Sequence, residues 1–177
     1  MGWIKNMIDH GKLPDTAKGS FYSFLFSDDV HPNIKGGYLV DLTWYAAFYG
    51  KSPEGKVLPA GTSLTPGQAR VMQKLAWDVV RNYPDCGLYE DGTTPVAVPE
   101  FLVEEEPVGK ARPLMLTSKT PGAWFRYTLD GTEPTRIRGY IYCGVINVPQ
   151  GAMLKAIAYK SGMADSGVAQ MAKAKGQ

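Results

Sequence analysis

The chain has 177 residues, which is enough for one large domain or two small ones. Its 19 basic and 17 acidic residues nearly cancel and form no basic run, so we expect neither nucleic acid nor an anionic membrane as a partner. No apolar stretch approaches the roughly 20 residues of a membrane-spanning helix, so no membrane span is predicted. Two cysteines are too few for a disulfide framework and lack metal-binding spacing, and no cofactor is predicted.

The N-terminal region is predicted to begin without regular structure. Residues 1–18 are polar and weakly patterned, and the aromatic-rich residues 20–26 suggest a short extended segment. The start of the chain lacks the basic region, apolar core and cleavage site of a signal peptide, which by itself indicates a cytoplasmic protein. If Met1 is an internal start in a longer gene, that absence carries no information.

Two amphipathic helices follow. Residues 34–49 repeat apolar side chains at steps of three and four, and Gly50 ends this first helix. Residues 65–68, Thr-Pro-Gly-Gln, have the signature of an N-cap, a first-turn proline and a capping box, and Pro84 ends the second helix. The apolar stripes have no parallel sheet to cover in this chain. The following residues must therefore cover one another or remain partly exposed: Leu39, Leu42, Met72, Leu75 and Val79.

A domain junction is predicted in residues 85–99, which are rich in glycine and proline, because the pattern changes there from helical to alternating. We expect one domain in residues 1–92 and another in residues 93–177. Three acidic residues, 104–106, predict a solvated linker or strand edge, and the small basic residues 172–177 predict a frayed tail.

The second domain is predicted to be all-β. Residues 124–129 and 154–159 alternate in polarity, which is typical of half-buried strands. Asp130 and Gly131 predict a turn between them, with Asp130 bonding its own backbone, and a last strand is expected to open at residues 165–166. One alternating set is expected to form a common core: Phe125, Tyr127, Leu129, Leu154, Ala156 and Ala158.

The order of these features resembles the chitobiase/β-hexosaminidase C-terminal domain, an immunoglobulin-like accessory module of bacterial carbohydrate-active enzymes. The resemblance spans residues 107–170 and depends on the Tyr-Thr-Leu-Asp-Gly run, the following Glu-Pro-Thr and the later Lys-Ala-Ile-Ala. It implies a carbohydrate or an acylated glycan as partner. Trp124 could contact a glycan if its strand face is exposed, although packing against the helical segment is the simpler alternative; Tyr140 and Tyr142 leave the same two alternatives open.

One segment of the chain has residue types suited to catalysis. Residues 27–33 read Ser-Asp-Asp-Val-His-Pro-Asn. A histidine can take a proton from a hydroxyl nucleophile, and it works best when a carboxylate holds its other ring nitrogen. Asp28 lies three residues before His31, a spacing that lets its carboxylate reach that nitrogen, whereas Asp29 is less well spaced. The alternative is an aspartate that caps a helix beside a solvent-facing histidine.

The same segment resembles the last conserved block of the SGNH (GDSL-type) hydrolases, Asp-x-Val-His-Pro-Asn followed by a glycine, here Gly36. The resemblance implies that His31 is a general base oriented by Asp28 and acts on a serine nucleophile in ester hydrolysis. The Gly-Asp-Ser block that supplies the nucleophile, and the blocks that supply the oxyanion hole, are absent from this chain. We therefore expect it to be inactive alone and to need an N-terminal catalytic segment.

Together these features predict a two-part α+β chain. The first part would be the helical C-terminal remnant of an α/β SGNH hydrolase, and the second an all-β immunoglobulin-like sandwich. The parent protein would be a bacterial ester hydrolase, exported to the periplasm or the cell exterior, that acts on carbohydrate-linked substrates. The alternative from another class is a non-catalytic carbohydrate-binding or spacer module.

Overall fold

The computed structural model describes residues 1–103 and 111–171. Within them the chain is α+β, with four α-helices followed by a β-sandwich-like part made of two antiparallel sheets. It divides into two compact units, Met1–Leu88 and Tyr89–Gln177, hereafter the helical unit and the β unit. No described helix is long and apolar enough to cross a bilayer. The linker and tail predicted at residues 104–106 and 172–177 lie outside the described residues.

The helical unit confirms both predicted long helices. The four helices are α1 (Gly2–Asp9), α2 (Phe21–Leu25), α3 (Ile34–Tyr49) and α4 (Pro66–Asn82), with a 3₁₀ turn at Pro84–Cys86. Gly50 ends α3 in the left-handed conformation at φ 59°, which glycine adopts without strain. At the start of α4, Thr65 accepts the backbone N–H of Gln68 and the Gln68 side chain accepts that of Thr65, which completes the capping box.

The first two helices were not predicted. Residues 1–18 include α1, in which Ile4 and Ile8 are spaced one turn apart and fully buried. Residues 20–26 were expected to be extended, yet α2 is a short helix whose residues Phe21, Phe24 and Leu25 are buried. The spacing of three and four residues places these side chains on one helical face, and burial of that face outweighs the low helix propensity of aromatic residues.

The apolar stripes of the helical unit largely cover one another. Leu39 and Leu42 of α3 and Met72 of α4 are buried, whereas Leu75 is only partly so. The buried core comprises Ile4, Ile8, Leu13, Phe21, Phe24, Leu25, Tyr38, Leu39, Leu42, Leu64, Ala69, Met72 and Ala76. Trp44 and Phe48, on the same helix as Leu42, remain exposed with ring centroids 5.0 Å apart. The helices thus share a core and still present an aromatic surface.

A buried glutamine anchors the loop between α3 and α4. The side-chain nitrogen of Gln73 donates to the Tyr38 hydroxyl at 2.7 Å and to the Lys56 carbonyl at 2.8 Å. Its side-chain oxygen accepts the Gly55 backbone N–H at 3.0 Å. Because Gln73 is buried, these bonds offset the cost of removing its amide from water.

The β unit consists of two sheets. One has the strand order β1-β2-β5 and the other β4-β3-β6-β7, with antiparallel pairing throughout. The strands are β1 (Glu100–Val103), β2 (Arg112–Thr117), β3 (Trp124–Thr128), β4 (Tyr140–Ile141), β5 (Ile146–Val148), β6 (Lys155–Tyr159) and β7 (Ala169–Gln170). The last strand therefore begins later than the predicted residues 165–166.

The predicted core face of β3 is buried at Phe125, whereas Tyr127 and Leu129 on the same face are only half-buried. Phe125 pairs with Ala158 on β6 and meets the Tyr142 ring edge-on at 5.5 Å between centroids. The Tyr142 hydroxyl in turn accepts the backbone N–H of Leu116 on β2 at 3.2 Å. Tyr142 therefore contacts β3 of the four-stranded sheet through its ring and β2 of the three-stranded sheet through its hydroxyl, and so joins the two layers of the sandwich.

The opposite face of β3 is also covered. Tyr159 pairs with Trp124 and so shares this face, and the Tyr89 ring lies 6.5 Å from the Tyr159 ring. Residues 89–91, the leading segment of the β unit, are held in place by backbone bonds, among them one from the Gly162 N–H to the Glu90 carbonyl at 2.8 Å. The leading segment, which lies outside the sheets, therefore helps to bury the Tyr159 side of the four-stranded sheet, a side that alternation alone would leave to solvent.

Arg136 fastens this leading segment to the rest of the β unit. Its guanidinium lies over the Tyr89 ring, 4.7 Å from the centroid, and donates to Asp91 at 2.5 Å and to Asp165 at 3.1 Å. Burial raises the pKa of Tyr89 to about 12, even though the Arg136 cation opposes that rise. Planar stacking combined with two carboxylate bonds is a geometry that arginine provides and lysine does not.

We expect residues 89–177 expressed alone to unfold cooperatively at a higher temperature than residues 93–177. The shorter segment lacks Tyr89 and Asp91, the partners of Arg136, and the Glu90 backbone bond. Thermal unfolding followed by circular dichroism measures the difference. Arg136→Ala in the longer segment is the control and should remove most of the advantage. Equal melting temperatures for the two segments would contradict this account.

Candidate functional site

The loop that carries His31 joins α2 to α3 and is closed by backbone pairing. Phe26 and Pro32 form an antiparallel bridge. Inside that bridge, the His31 carbonyl accepts the Ser27 backbone N–H at 2.9 Å and the Ser27 hydroxyl at 3.1 Å. The histidine thus lies on a short hairpin-like loop with a defined backbone.

Asn33 ties this loop to both flanking helices. Its side-chain oxygen accepts the backbone N–H groups of Lys35 and Gly36, which caps α3. Its side-chain nitrogen donates to the carbonyls of Phe24 at 3.0 Å and Phe26 at 3.3 Å. One amide therefore satisfies groups at the start of α3 and at the end of α2. The motif Asp-x-Val-His-Pro-Asn includes Asn33 but does not by itself indicate these bonds.

Asp28 and His31 are in direct contact. Oδ2 of Asp28 lies 2.8 Å from Nδ1 of His31, which confirms the predicted contact. Oδ1 of Asp28 accepts the backbone N–H groups of Val30 at 2.8 Å and His31 at 2.7 Å. The backbone bond from His31, then that from Val30 and then the His31 side chain hold the pKa of Asp28 below its usual range. Among the described residues, Asp28 and not Asp29 is the carboxylate that contacts the ring.

The dyad is open to solvent. The His31 side chain is 76% exposed, and the Asp28 carboxylate is more than half exposed. With Nδ1 facing the carboxylate, Nε2 is the nitrogen directed away from Asp28. A neutral imidazole held in this tautomer can accept a proton at Nε2 while the carboxylate stabilises the resulting imidazolium.

The serines near His31 in sequence are bonded to the backbone. The hydroxyls of Ser20 and Ser23 donate to the carbonyls of Ala17 and Ser20, and that of Ser27 donates to the His31 carbonyl. In the described residues no serine hydroxyl is bonded to the His31 ring, so these three serines do not form a Ser-His pair. The described residues also contain no group of three or more His, Cys, Asp and Glu side chains suited to a metal ion.

Gly36 is the position where the first turn of α3 meets the end of α2. A Cβ placed there would lie 2.1 Å from the Leu25 carbonyl oxygen and 2.9 Å from the Pro32 Cβ. The glycine of the motif is therefore required by close backbone approach rather than by an unusual dihedral angle. The neighbouring Gly37 has no such restriction, since nothing lies within 4 Å of a Cβ placed there.

Trp124 does not have the exposed position that a glycan contact requires. Only 9% of its surface is exposed, on the face of β3 that it shares with Tyr159. Of the two tyrosines that sequence left ambiguous, Tyr142 is buried and Tyr140 is 62% exposed. Alternation predicted which residues share a face, but it could not predict that the face opposite Phe125 would also be buried.

Tyr140 borders an open groove of the β unit with a volume of about 690 Å³. Asp130, at the predicted turn, accepts the backbone N–H and the hydroxyl of Thr132 on Oδ1, as expected for a turn aspartate. The groove is lined by Thr128, Leu129, Asp130, Thr132, Arg138, Gly139, Tyr140, Pro149 and Ala152. Sequence analysis did not identify this site, since its residues come from three separate turns and strands.

The β unit contains the part of the chain that matches a known protein family. Residues 114–171 match the family described as Fn3 associated, a match that covers strands β2 to β7 and supports a β-sandwich-type module. No curated protein matches the chain. The family match does not extend to α1–α4 or to the loop that carries Asp28 and His31.

We expect Gly36→Ala to destabilise the helical unit by about 1–3 kcal/mol, the typical cost of forcing extra volume into a packed site. Gly37→Ala is the matched control. It adds the same methyl group in open space on the same helix and should be neutral or stabilising by up to about 1 kcal/mol. Urea unfolding of both variants measures the difference. An equal change in the free energy of unfolding for the two variants would contradict the account that the close approach to Leu25 governs Gly36.

The contact with Asp28 should also fix the tautomer of His31. We expect the neutral ring to be protonated at Nδ1, and this can be read from long-range ¹⁵N correlation spectra at about pH 8. Asp28→Ala should abolish the preference, whereas Asp29→Ala should preserve it. His10 also bonds through Nδ1, to the Asn6 carbonyl at 2.8 Å, so His10→Gln assigns the signals. An Nε2-protonated His31 in the unsubstituted protein would contradict the assignment.

Proposed function

We propose that the helical unit supplies the Asp-His part of the catalytic site of an SGNH-type serine ester hydrolase. The observation that carries the proposal is the 2.8 Å contact between Asp28 Oδ2 and His31 Nδ1 on a loop fixed at both ends. In this proposal the β unit is an immunoglobulin-like accessory sandwich of the chitobiase C-terminal type. The substrate is a carbohydrate-linked ester, and the complete protein is bacterial and exported.

The proposed chemistry assigns one proton-transfer role to each residue of the dyad. A serine hydroxyl from a segment outside this chain attacks the ester carbonyl, and its proton passes to Nε2 of His31. Asp28 stabilises the imidazolium, which then gives the proton to the departing alcohol. Water repeats the cycle on the acyl-serine, releasing the acid and regenerating the serine. Donors to the oxyanion would also come from that other segment.

An apolar surface of the helical unit supports this division of the site. A groove of about 290 Å³ lies among α1, α3 and α4 and is bordered by Trp3, Leu39, Trp44 and Val79. Helices that flank a parallel sheet present such apolar surfaces to it. The catalytic segment that we propose would contribute this sheet together with the serine.

The chain alone is expected to show no hydrolysis of p-nitrophenyl acetate above background, because it lacks the serine nucleophile and the oxyanion donors on which the proposed reaction depends. His10→Ala, at the other exposed histidine, is the control for hydrolysis caused by surface imidazole. Saturable turnover far above that of free imidazole at the same concentration, lost in His31→Ala and kept in His10→Ala, would contradict the proposal.

The decisive experiment joins the chain to the segment encoded in frame before Met1. That segment should contain a Gly-Asp-Ser motif, and the joined protein should hydrolyse acetylated sugars. His31→Ala should abolish the activity. Asp28→Asn should lower kcat by roughly 10⁴-fold, the loss typical of a triad whose carboxylate is replaced. Asp29→Asn, the adjacent matched control, should have little effect. A frame without Gly-Asp-Ser, or equal effects of the two aspartate variants, would overturn the proposal.

A second candidate function is a non-catalytic carbohydrate-binding or spacer module. The specific observation that favours it is the open groove beside the exposed Tyr140 in the β unit. On this alternative the Asp28–His31 contact is structural: it closes the loop ahead of α3. The aspartate variants of the joined protein distinguish the two candidates, since only the hydrolase requires Asp28 for turnover.

A further inference from the structure

The groove beside Tyr140 is shaped by a glycine that brings two chain segments together. A Cβ at Gly139, which has φ 103°, would lie 2.7 Å from the Tyr127 carbonyl oxygen on β3. The Arg126 guanidinium donates to the Gly139 carbonyl at 2.9 Å from the buried face of the same sheet. These contacts fix the backbone immediately before Tyr140 and so fix where its ring leaves the sheet.

The Tyr140 ring is supported on one side and open on the other. It lies 5.4 Å from the Tyr127 ring at an interplanar angle of 37°, and it belongs to the edge strand β4. An aromatic face carries negative charge density, which attracts the weakly positive C–H groups on the flat side of a sugar ring. A supported, exposed ring at the border of a groove suits this contact.

Polar groups of both kinds border the same groove. Asp130 uses Oδ1 for its bonds to Thr132, so Oδ2 can accept a hydroxyl from a ligand. The exposed Arg138 supplies donors, and its backbone is fixed by reciprocal bonds with Thr135 at 3.1 Å and 3.2 Å. One carboxylate and one guanidinium balance in charge, which favours a neutral ligand over an anion. The volume lies within the range of small-molecule sites.

We propose that this groove binds a neutral pyranose unit of a glycan. The sugar ring lies on the open face of Tyr140, and its hydroxyls bond to Asp130 and Arg138. The inference rests on the second candidate function, a glycan-binding β-sandwich, and is independent of the ester-hydrolase proposal. It replaces the glycan contact that the sequence left open at Trp124 with one at a ring that solvent can reach.

The test uses the full chain and three neutral probes: cellohexaose, chitohexaose and xylohexaose. Titrations followed by ¹H–¹⁵N correlation spectra should show saturable shifts at Tyr140, Arg138 and Asp130 with at least one probe. Tyr140→Ala should weaken binding by about tenfold or more, equivalent to roughly 1.4 kcal/mol. Tyr140→Phe keeps the ring and should retain most of the affinity. Tyr49→Ala, at an exposed tyrosine of the helical unit, should have no effect.

The titrations test two statements separately: that the β unit binds a glycan, and that the groove beside Tyr140 is where it binds. Shifts confined to another surface of the β unit would overturn the groove assignment and leave glycan binding in place. The absence of saturable shifts with all three probes would overturn both the groove assignment and the carbohydrate-binding form of the second candidate function, and would leave the spacer form. Because Tyr140→Ala also removes a contact with Tyr127, Arg138→Ala provides an independent variant at an exposed side chain. Unchanged affinity in both variants would likewise overturn the assignment.

Discussion

The geometry of the loop that carries His31 depends on the Asn33 side chain. A single amide caps α3 with its oxygen and holds the end of α2 with its nitrogen. An aspartate at this position could cap α3 but could not bond to the carbonyls at the end of α2, since a carboxylate has no hydrogen to donate. The close approach at Gly36 and the bridge between Phe26 and Pro32 lie in the same loop. The backbone that carries His31 is consequently held at both ends of the loop.

The dyad combines a well-defined orientation with free access. Two backbone bonds fix the carboxylate of Asp28, so its contact with His31 does not depend on burial. An exposed histidine and carboxylate gain little stability from their attraction, because water screens it. Orientation of the ring is therefore a better account of the contact than stabilisation of the fold. In the β unit, by contrast, the ion pairs of Arg136 with Asp91 and Asp165 connect segments that are distant in sequence.

Sequence reasoning succeeded where the signal was local and failed where it was not. The caps at Gly50 and Thr65 and the Asp28–His31 spacing depend on neighbouring residues, and the structure has all three. The short helix α2 was missed because a buried aromatic cluster, and not intrinsic propensity, stabilises it. Burial of Trp124 and exposure of Tyr140 depend on segments distant in sequence. A single strand pattern contains no information about those segments.

The unequal lengths of the edge strands have a consequence for handling the protein. β4 and β7, the edges of the four-stranded sheet, have two residues each and offer little backbone for another chain to pair with. β1, an edge of the other sheet, has four residues, and its Leu102 and Val103 are half exposed. Long apolar edges are the sites where sheets of separate molecules join. Among the described edge strands, β1 therefore offers the most backbone for pairing with another molecule.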